Sequence, residues 1–173
     1  AVPEGGAEVF RVKYFDHEAY LSQSPQLYKS LLVTAFERVF SVNHIFRAEP
    51  SVTTRHLTES TQMDIEIGFA EFTDLLDFLE DVAVKMLKFT EDSCRDVLSE
   101  FGIVKINFGK IPRLTLREAQ EIILREFGRD NRKEKDLTPQ DEIDLCKWSK
   151  KAHGSDFVIV THFPTKAKPF YTM

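Results

Sequence analysis

The chain has 173 residues, of which 42% are hydrophobic and 29% charged, enough apolar side chain to build a packed domain core. A net charge of −5 is opposite to the basic face of a general nucleic-acid binder, but it leaves room for an enzyme that meets RNA through a local patch. No apolar run reaches the roughly 18 residues of a membrane span, and Ala1-Val2-Pro3-Glu4-Gly5-Gly6 lacks the basic start and apolar stretch of a secretory leader. Cys94 and Cys146 lie far apart in helical patterns. They are expected to be buried free thiols, which fits a reducing, cytoplasmic compartment.

In chain order, Glu8 to Phe15 (EVFRVKYF) alternates and is rich in Val and aromatics, so it predicts a strand. Ser24-Pro25 then reads as an N-cap followed by Pro at the first helical position, opening a helix to about Ala35. Arg38 to Glu49 alternates again, with Val39, Ser41, Asn43, Ile45 and Arg47 on one face and Phe40, Val42, His44, Phe46 and Ala48 on the other. Pro50 ends it. Residues 51–60 form a polar loop, and Gln62 to Phe69 returns as the second strand of a long hairpin. His44 falls on the apolar side and is expected to be packed.

Phe72, Leu75, Leu76, Leu79, Val82, Ala83, Met86 and Leu87 recur at helical spacing, with Asp74 to Asp81 on the wet side. The pattern continues through Cys94 to a stop at Gly102. Thr115-Leu116-Arg117-Glu118 is a capping box for a helix closing at Gly128, after which Gly128 to Lys135 is a charged loop. Thr138-Pro139 caps a last helix ending near Gly154, and Trp148 on it reads as core. Phe157 to His162 (FVIVTH) is a buried strand. The order of elements predicts an α+β fold, a meander of antiparallel strands with helices packed on it.

The hairpin carries the chemistry. Arg47 at the end of one strand points with Asp64 and Glu66 across the hairpin, and Arg55-His56 sit in the loop between. A guanidinium, an imidazole and several carboxylates thus share what reads as one open sheet surface. Arg offers a fork suited to phosphate oxygens, so the set predicts a polyanion site. His153 and His162 have no Cys or His partners at metal spacing.

The stretch FRAEPSVTTRHLTESTQMDIEIGF resembles motif 2 of the class II aminoacyl-tRNA synthetases, in the form used by the aspartyl branch. EGGAEVFRVKYF followed by LSQSPQLYKS is similar to the aspartate-binding stretch of that family, and DFVIVTHFPTKAKPFYTM to a strand late in its catalytic domain. Asp64 stands where asparaginyl relatives have Pro. The resemblance covers the whole chain and implies a class II catalytic domain in part, an antiparallel sheet flanked by helices: the motif 2 hairpin over 38–69, a helical insertion over 72–154 and a strand over 157–162.

The resemblance implies that Arg47, the catalytic residue, binds the α-phosphate of ATP and the carboxylate of L-aspartate. Ala48, Glu49, Arg55, His56 and Leu57 complete an ATP-binding set. Glu4 belongs to a loop closing over aspartate, Gln26 and Asp64 hold the substrate ammonium, and Lys29 reads the β-carboxylate. Aspartate and asparagine are nearly isosteric, so charge must separate them. A cation about 4 Å from the β-carboxylate contributes roughly 4 kcal/mol at an effective dielectric of 20.

The implied activity is aspartate–tRNA ligation with ATP and magnesium, the acceptor being tRNA(Asp) and the family assembling as homodimers. Ser60 stands where many relatives pack an aromatic against adenine. None of the seven glycines makes the Gly-rich motif 3 whose Arg contacts ATP. Motif 3, the acidic magnesium ligands, motif 1 and an anticodon-binding domain are therefore expected outside these residues, and the chain alone is expected to be weak or inactive. Two rival expectations are an aspartate-adenylating relative that makes asparagine, and a non-catalytic binding module derived from a synthetase.

Overall fold

The computed structural model describes residues 8–48, 57–103 and 105–167. The chain divides into two compact units, residues 1–79 and 80–173, and the division falls inside one helix.

The first unit opens with a short antiparallel hairpin, β1 (Arg11–Tyr14) and β2 (His17–Tyr20), where the sequence predicted a single strand. Phe15 makes the turn at φ 52°. Helix α1 (Gln26–Phe36) follows at the predicted place, but its start differs. Pro25 occupies the cap position with no side-chain cap bond, because the Ser24 hydroxyl is donated to Asp64 Oδ2 at 2.9 Å instead.

Strands β3 (Arg38–Phe46) and β4 (Glu59–Ile67) form the predicted hairpin, with Ser41 opposite Asp64, Asn43 opposite Gln62 and Val39 opposite Glu66. The expected packing is inverted. The polar face is half-buried under α1 and is not an open surface, whereas Phe40 and Val42 on the apolar face are 72% and 56% exposed. The side chain of His44 is likewise 70% exposed beside Glu59, not packed. The reason lies in α1, whose Gln26, Lys29 and Val33 recur at i, i+3 and i+7 and so face the hairpin together. Val33 meets it at Gly68, where an added Cβ would sit 3.5 Å from Val33 Cγ2.

Helix α2 (Phe72–Ser93) is the long amphipathic helix of the sequence, and it breaks before α3 (Arg95–Glu100). Cys94 at that break is exposed and Cys146 is half-buried, so neither is the fully buried thiol expected; both are free.

In the second unit β5 (Arg113–Thr115) and β6 (Ile159–Thr161) pair in parallel, an exception to the expected antiparallel meander. Parallel pairing follows from the crossover between them. It contains α4 (Leu116–Phe127) and α5 (Pro139–His153), both opened by the predicted capping boxes, at Thr115/Glu118 and Thr138/Asp141. Ala119, Ile122, Ile123 and Leu145 form the core, with Trp148, Val158 and Val160 packed against it.

The charged loop after Gly128 is pinned from below by two buried polar residues. Gln120 Nε2 donates to the carbonyls of Asn131 and Glu134 at 2.9 and 3.0 Å. Asp141 accepts from Arg129, Asn131 and Thr138 at 2.8, 3.0 and 2.8 Å. Gly109 is required where it stands, since a Cβ there would lie 2.4 Å from the carbonyl oxygen of His153.

Burial pushes the Asp141 carboxyl up, but the bonds from Arg129, Thr138 and Asn131 outweigh it and leave the group below its ordinary 3.8. The bond from Gln140, then those from Lys147 and Arg129, likewise hold Asp144 down against burial. A depressed carboxyl binds fewer protons folded than unfolded. Its stabilisation is therefore complete above the unfolded value and is lost as pH falls through the folded one. Acid unfolding followed by Trp148 fluorescence is thus expected to set in below about pH 4, with the fall made shallower by Asp141→Asn; an unchanged profile in that variant would remove Asp141 from the account. Leu145→Ala is expected to cost about 3 kcal/mol in chemical denaturation.

Candidate functional site

The site is assembled by the first unit, and its construction starts at an edge of the hairpin. The free edge of β3 is taken up by the segments before it: Phe46 donates its backbone N–H to Ser22 at 2.9 Å, and Ala48 donates to Glu8 at 3.0 Å. Ser22 Oγ also donates to the His44 carbonyl at 2.6 Å. The chain is thereby fixed at Ser22 and enters α1 four residues later, which delivers Gln26 and Lys29 to the polar face of β4.

There Lys29 is 3% exposed, and its Nζ lies 3.0 Å from Glu66 Oε1 and 3.4 Å from Asp64 Oδ2. Glu66 Oε1 also accepts from Gln26 Nε2 at 2.8 Å. Asp64 is held on both oxygens, Oδ2 by Ser24 at 2.9 Å and Oδ1 by Gln62 Nε2 at 2.7 Å. One buried ammonium, two carboxylates, two amides and a hydroxyl thus form a continuous network. Two buried atoms of the same strand pair, Ser41 Oγ and Gln62 Oε1, have no hydrogen-bond partner among the described residues. An unsatisfied buried polar atom costs on the order of 1–3 kcal/mol, so this face suits a ligand with polar groups of its own.

Of the residues singled out in the sequence, Gln26, Lys29 and Asp64 are therefore brought together. Arg47 continues the pairing of the hairpin, its backbone N–H donating to Thr58 at 2.9 Å. It stands six residues along the strand from Ser41, the partner of Asp64, a span of about 20 Å. Ala48 is anchored beside it through Glu8, and Leu57 is 68% exposed at the same end of the hairpin. Glu4, Glu49, Arg55 and His56 lie outside the described residues. Ser24 and Gln62 were not singled out as site residues, and Glu66 only as a member of the polar face, without a substrate role. The signal for the last two was the period of two that puts 62, 64 and 66 on one face; Ser24 lies in the SPQ stretch but reads locally as a cap.

The described residues hold no cluster of three or more His, Cys, Asp or Glu side chains that could bind a metal. The carboxylate pair Asp64–Glu66 does not fit magnesium either, because the Lys29 ammonium already bridges it. No chemical step can be assigned to a metal held by these residues.

A buried cation read by paired carboxylates, set on a motif 2-like hairpin, is the arrangement that the comparisons with known proteins bear on. The profile of the tRNA synthetases class II (D, K and N) matches residues 1–173. The chain belongs to this class II synthetase family. It is 42% identical over 176 residues to the aspartate–tRNA(Asp) ligase of Picrophilus torridus, covering 100% of this chain and 40% of that one. It is 40% identical over 174 residues to the aspartate–tRNA(Asp/Asn) ligase of Aeropyrum pernix, covering 98% and 39%. Among solved structures, the asparaginyl-tRNA synthetase of Pyrococcus horikoshii complexed with asparaginyl-adenylate superposes with a TM-score of 0.75 at 31% identity, covering 98% of this chain and 39% of that one.

The chain thus spans about 40% of the length of the curated relatives it matches. The α+β reading and the class II resemblance agree with these findings. An asparaginyl enzyme and an aspartyl enzyme, the latter of Entamoeba histolytica at a TM-score of 0.74 and 34% identity, covering 89% of this chain and 33% of that one, are thus both among its structural relatives.

Lys29→Met leaves two carboxylates facing each other without their cation. The expected loss is about 3 kcal/mol of stability, read by chemical denaturation; a variant as stable as the parent would show that the network contributes nothing to holding α1 on the hairpin.

Proposed function

We propose that the chain carries the amino-acid-binding part of an aspartate–tRNA ligase, the first unit recognising L-aspartate for activation by ATP. The observation that supports this most is the buried Lys29 ammonium beside Asp64, a cation and an anion set to meet the β-carboxylate and the ammonium of one zwitterion. Lys29 attracts the β-carboxylate. Asp64, already oriented by Ser24 and Gln62, accepts from the substrate ammonium together with Gln26. Arg47, about 20 Å along the same strand pair, is the residue assigned to the α-carboxylate and the α-phosphate, a role that requires its long side chain to reach back toward Asp64.

An α-carboxylate oxygen attacks the α-phosphorus, the acyl–phosphate bond forms and pyrophosphate leaves. The protein contributes positioning and stabilisation of the charge that accumulates. Glu4, Ala48, Glu49, Arg55, His56 and Leu57 complete the aspartate and ATP contacts in this reading. Residues 72–154 are in this reading the helical insertion that follows the motif 2 hairpin of 38–69, and 157–162 the later strand of the catalytic domain. The same reading makes tRNA(Asp) the acceptor, magnesium the metal of the longer enzyme, a homodimer its assembly and the cytoplasm its compartment. No described helix is long and apolar enough to cross a membrane.

Lys29 is not a bare cation, since Asp64 and Glu66 already share its charge. The full pair energy of a lone ammonium is therefore an upper bound, and discrimination is expected on the order of tenfold. Calorimetric titration of the chain with L-aspartate, L-asparagine and succinate tests this. L-aspartate should bind tightest, asparagine suffering from the missing charge and succinate from the missing ammonium. Equal affinity for aspartate and asparagine would sink the assignment of Lys29.

A further inference from the structure

Glu66 is placed in a way that its neighbour Asp64 is not. A single oxygen, Oε1, accepts from Lys29 Nζ at 3.0 Å and from Gln26 Nε2 at 2.8 Å. It therefore ties together, one turn apart on α1, the two helix residues assigned to opposite ends of the substrate. The Glu66 side chain is 27% exposed against 4% for Lys29 and 11% for Asp64, so it forms the solvent side of the cluster.

Its position has two consequences of opposite sign. As an acceptor it fixes where the Lys29 ammonium and the Gln26 amide point. As an anion it weakens the field that Lys29 presents to an incoming carboxylate, because Lys29, Asp64 and Glu66 together sum to one negative charge. We infer that Glu66 is a positioning and specificity-setting residue of the aspartate pocket, holding Lys29 and Gln26 in register while attenuating the preference for aspartate over asparagine. The inference rests on the reading of Lys29 as the β-carboxylate contact.

The two consequences separate experimentally. Glu66→Gln keeps an oxygen acceptor of the same reach and removes the charge; its amide nitrogen can occupy the solvent side. Glu66→Ala removes both. Calorimetric titration of the parent chain and both variants with L-aspartate and with L-asparagine is expected to show the aspartate-to-asparagine affinity ratio rising about tenfold in Glu66→Gln, as one screening charge is lost. In Glu66→Ala, affinity for both amino acids is expected to fall. A purely structural role would move the two variants in the same direction for both ligands.

An unchanged or reduced ratio in Glu66→Gln overturns the inference. So does failure of that variant to fold, because the claim requires an amide oxygen to keep both bonds. A parent chain that shows no preference for aspartate overturns the Lys29 assignment itself, and the inference with it. A parent with the preference and a Glu66→Gln variant without the rise sinks the inference alone.

Discussion

The first unit is organised around one electrostatic constraint: a lysine ammonium with almost no solvent exposure must be surrounded by acceptors. Asp64 and Glu66 meet it from alternate positions of β4, and Ser24, Gln26 and Gln62 hold those carboxylates in place. That demand explains why α1 lies on the charged face of the hairpin, since only there can Lys29 find its partners. It also explains why Ser24 does not cap the helix it precedes. The bonds within the cluster hold its side chains in place without a ligand.

The cost of the arrangement is visible on the other side of the sheet. Phe40, Val42 and Met63 are 72%, 56% and 42% exposed, and Leu27, Leu31 and Phe36 of α1 are similarly open at 58%, 63% and 68%. The second unit shows the opposite balance. Its core is closed by Ile123 and Leu145, and its polar residues Gln120 and Asp141 are buried because they satisfy the backbone and side chains of a loop. Stability of the second unit therefore comes from ordinary core packing and caps, while the first unit depends more on a polar network.

Much of this was legible in the residues. The hairpin follows from its period and α4 and α5 from their capping boxes, with Thr115, Gly128, Thr138 and Gly154 marking ends where the structure has them, whereas α1 lies at the expected place without the Ser24 cap that announced it. The motif 2-like stretch pointed to the family that the relatives show. What was not legible is which face of the hairpin would be covered. Alternation tells the two faces apart but cannot say that a buried lysine on a neighbouring helix will draw the polar face inward. The short strands β2 and β5 were missed because four and three residues hold too little periodicity to register. Glu66 and Gln62 were visible as members of a polar face, yet their role appears only when the register sets them around Lys29.

The most direct measurement of the central claim is a crystal structure of the chain with a non-hydrolysable aspartyl-adenylate analogue. The account predicts the β-carboxylate within hydrogen-bond distance of Lys29 Nζ, with the ammonium against Asp64 and the phosphate directed toward Arg47. An analogue bound with its β-carboxylate away from Lys29, and the Lys29–Asp64–Glu66 cluster undisturbed, would contradict it.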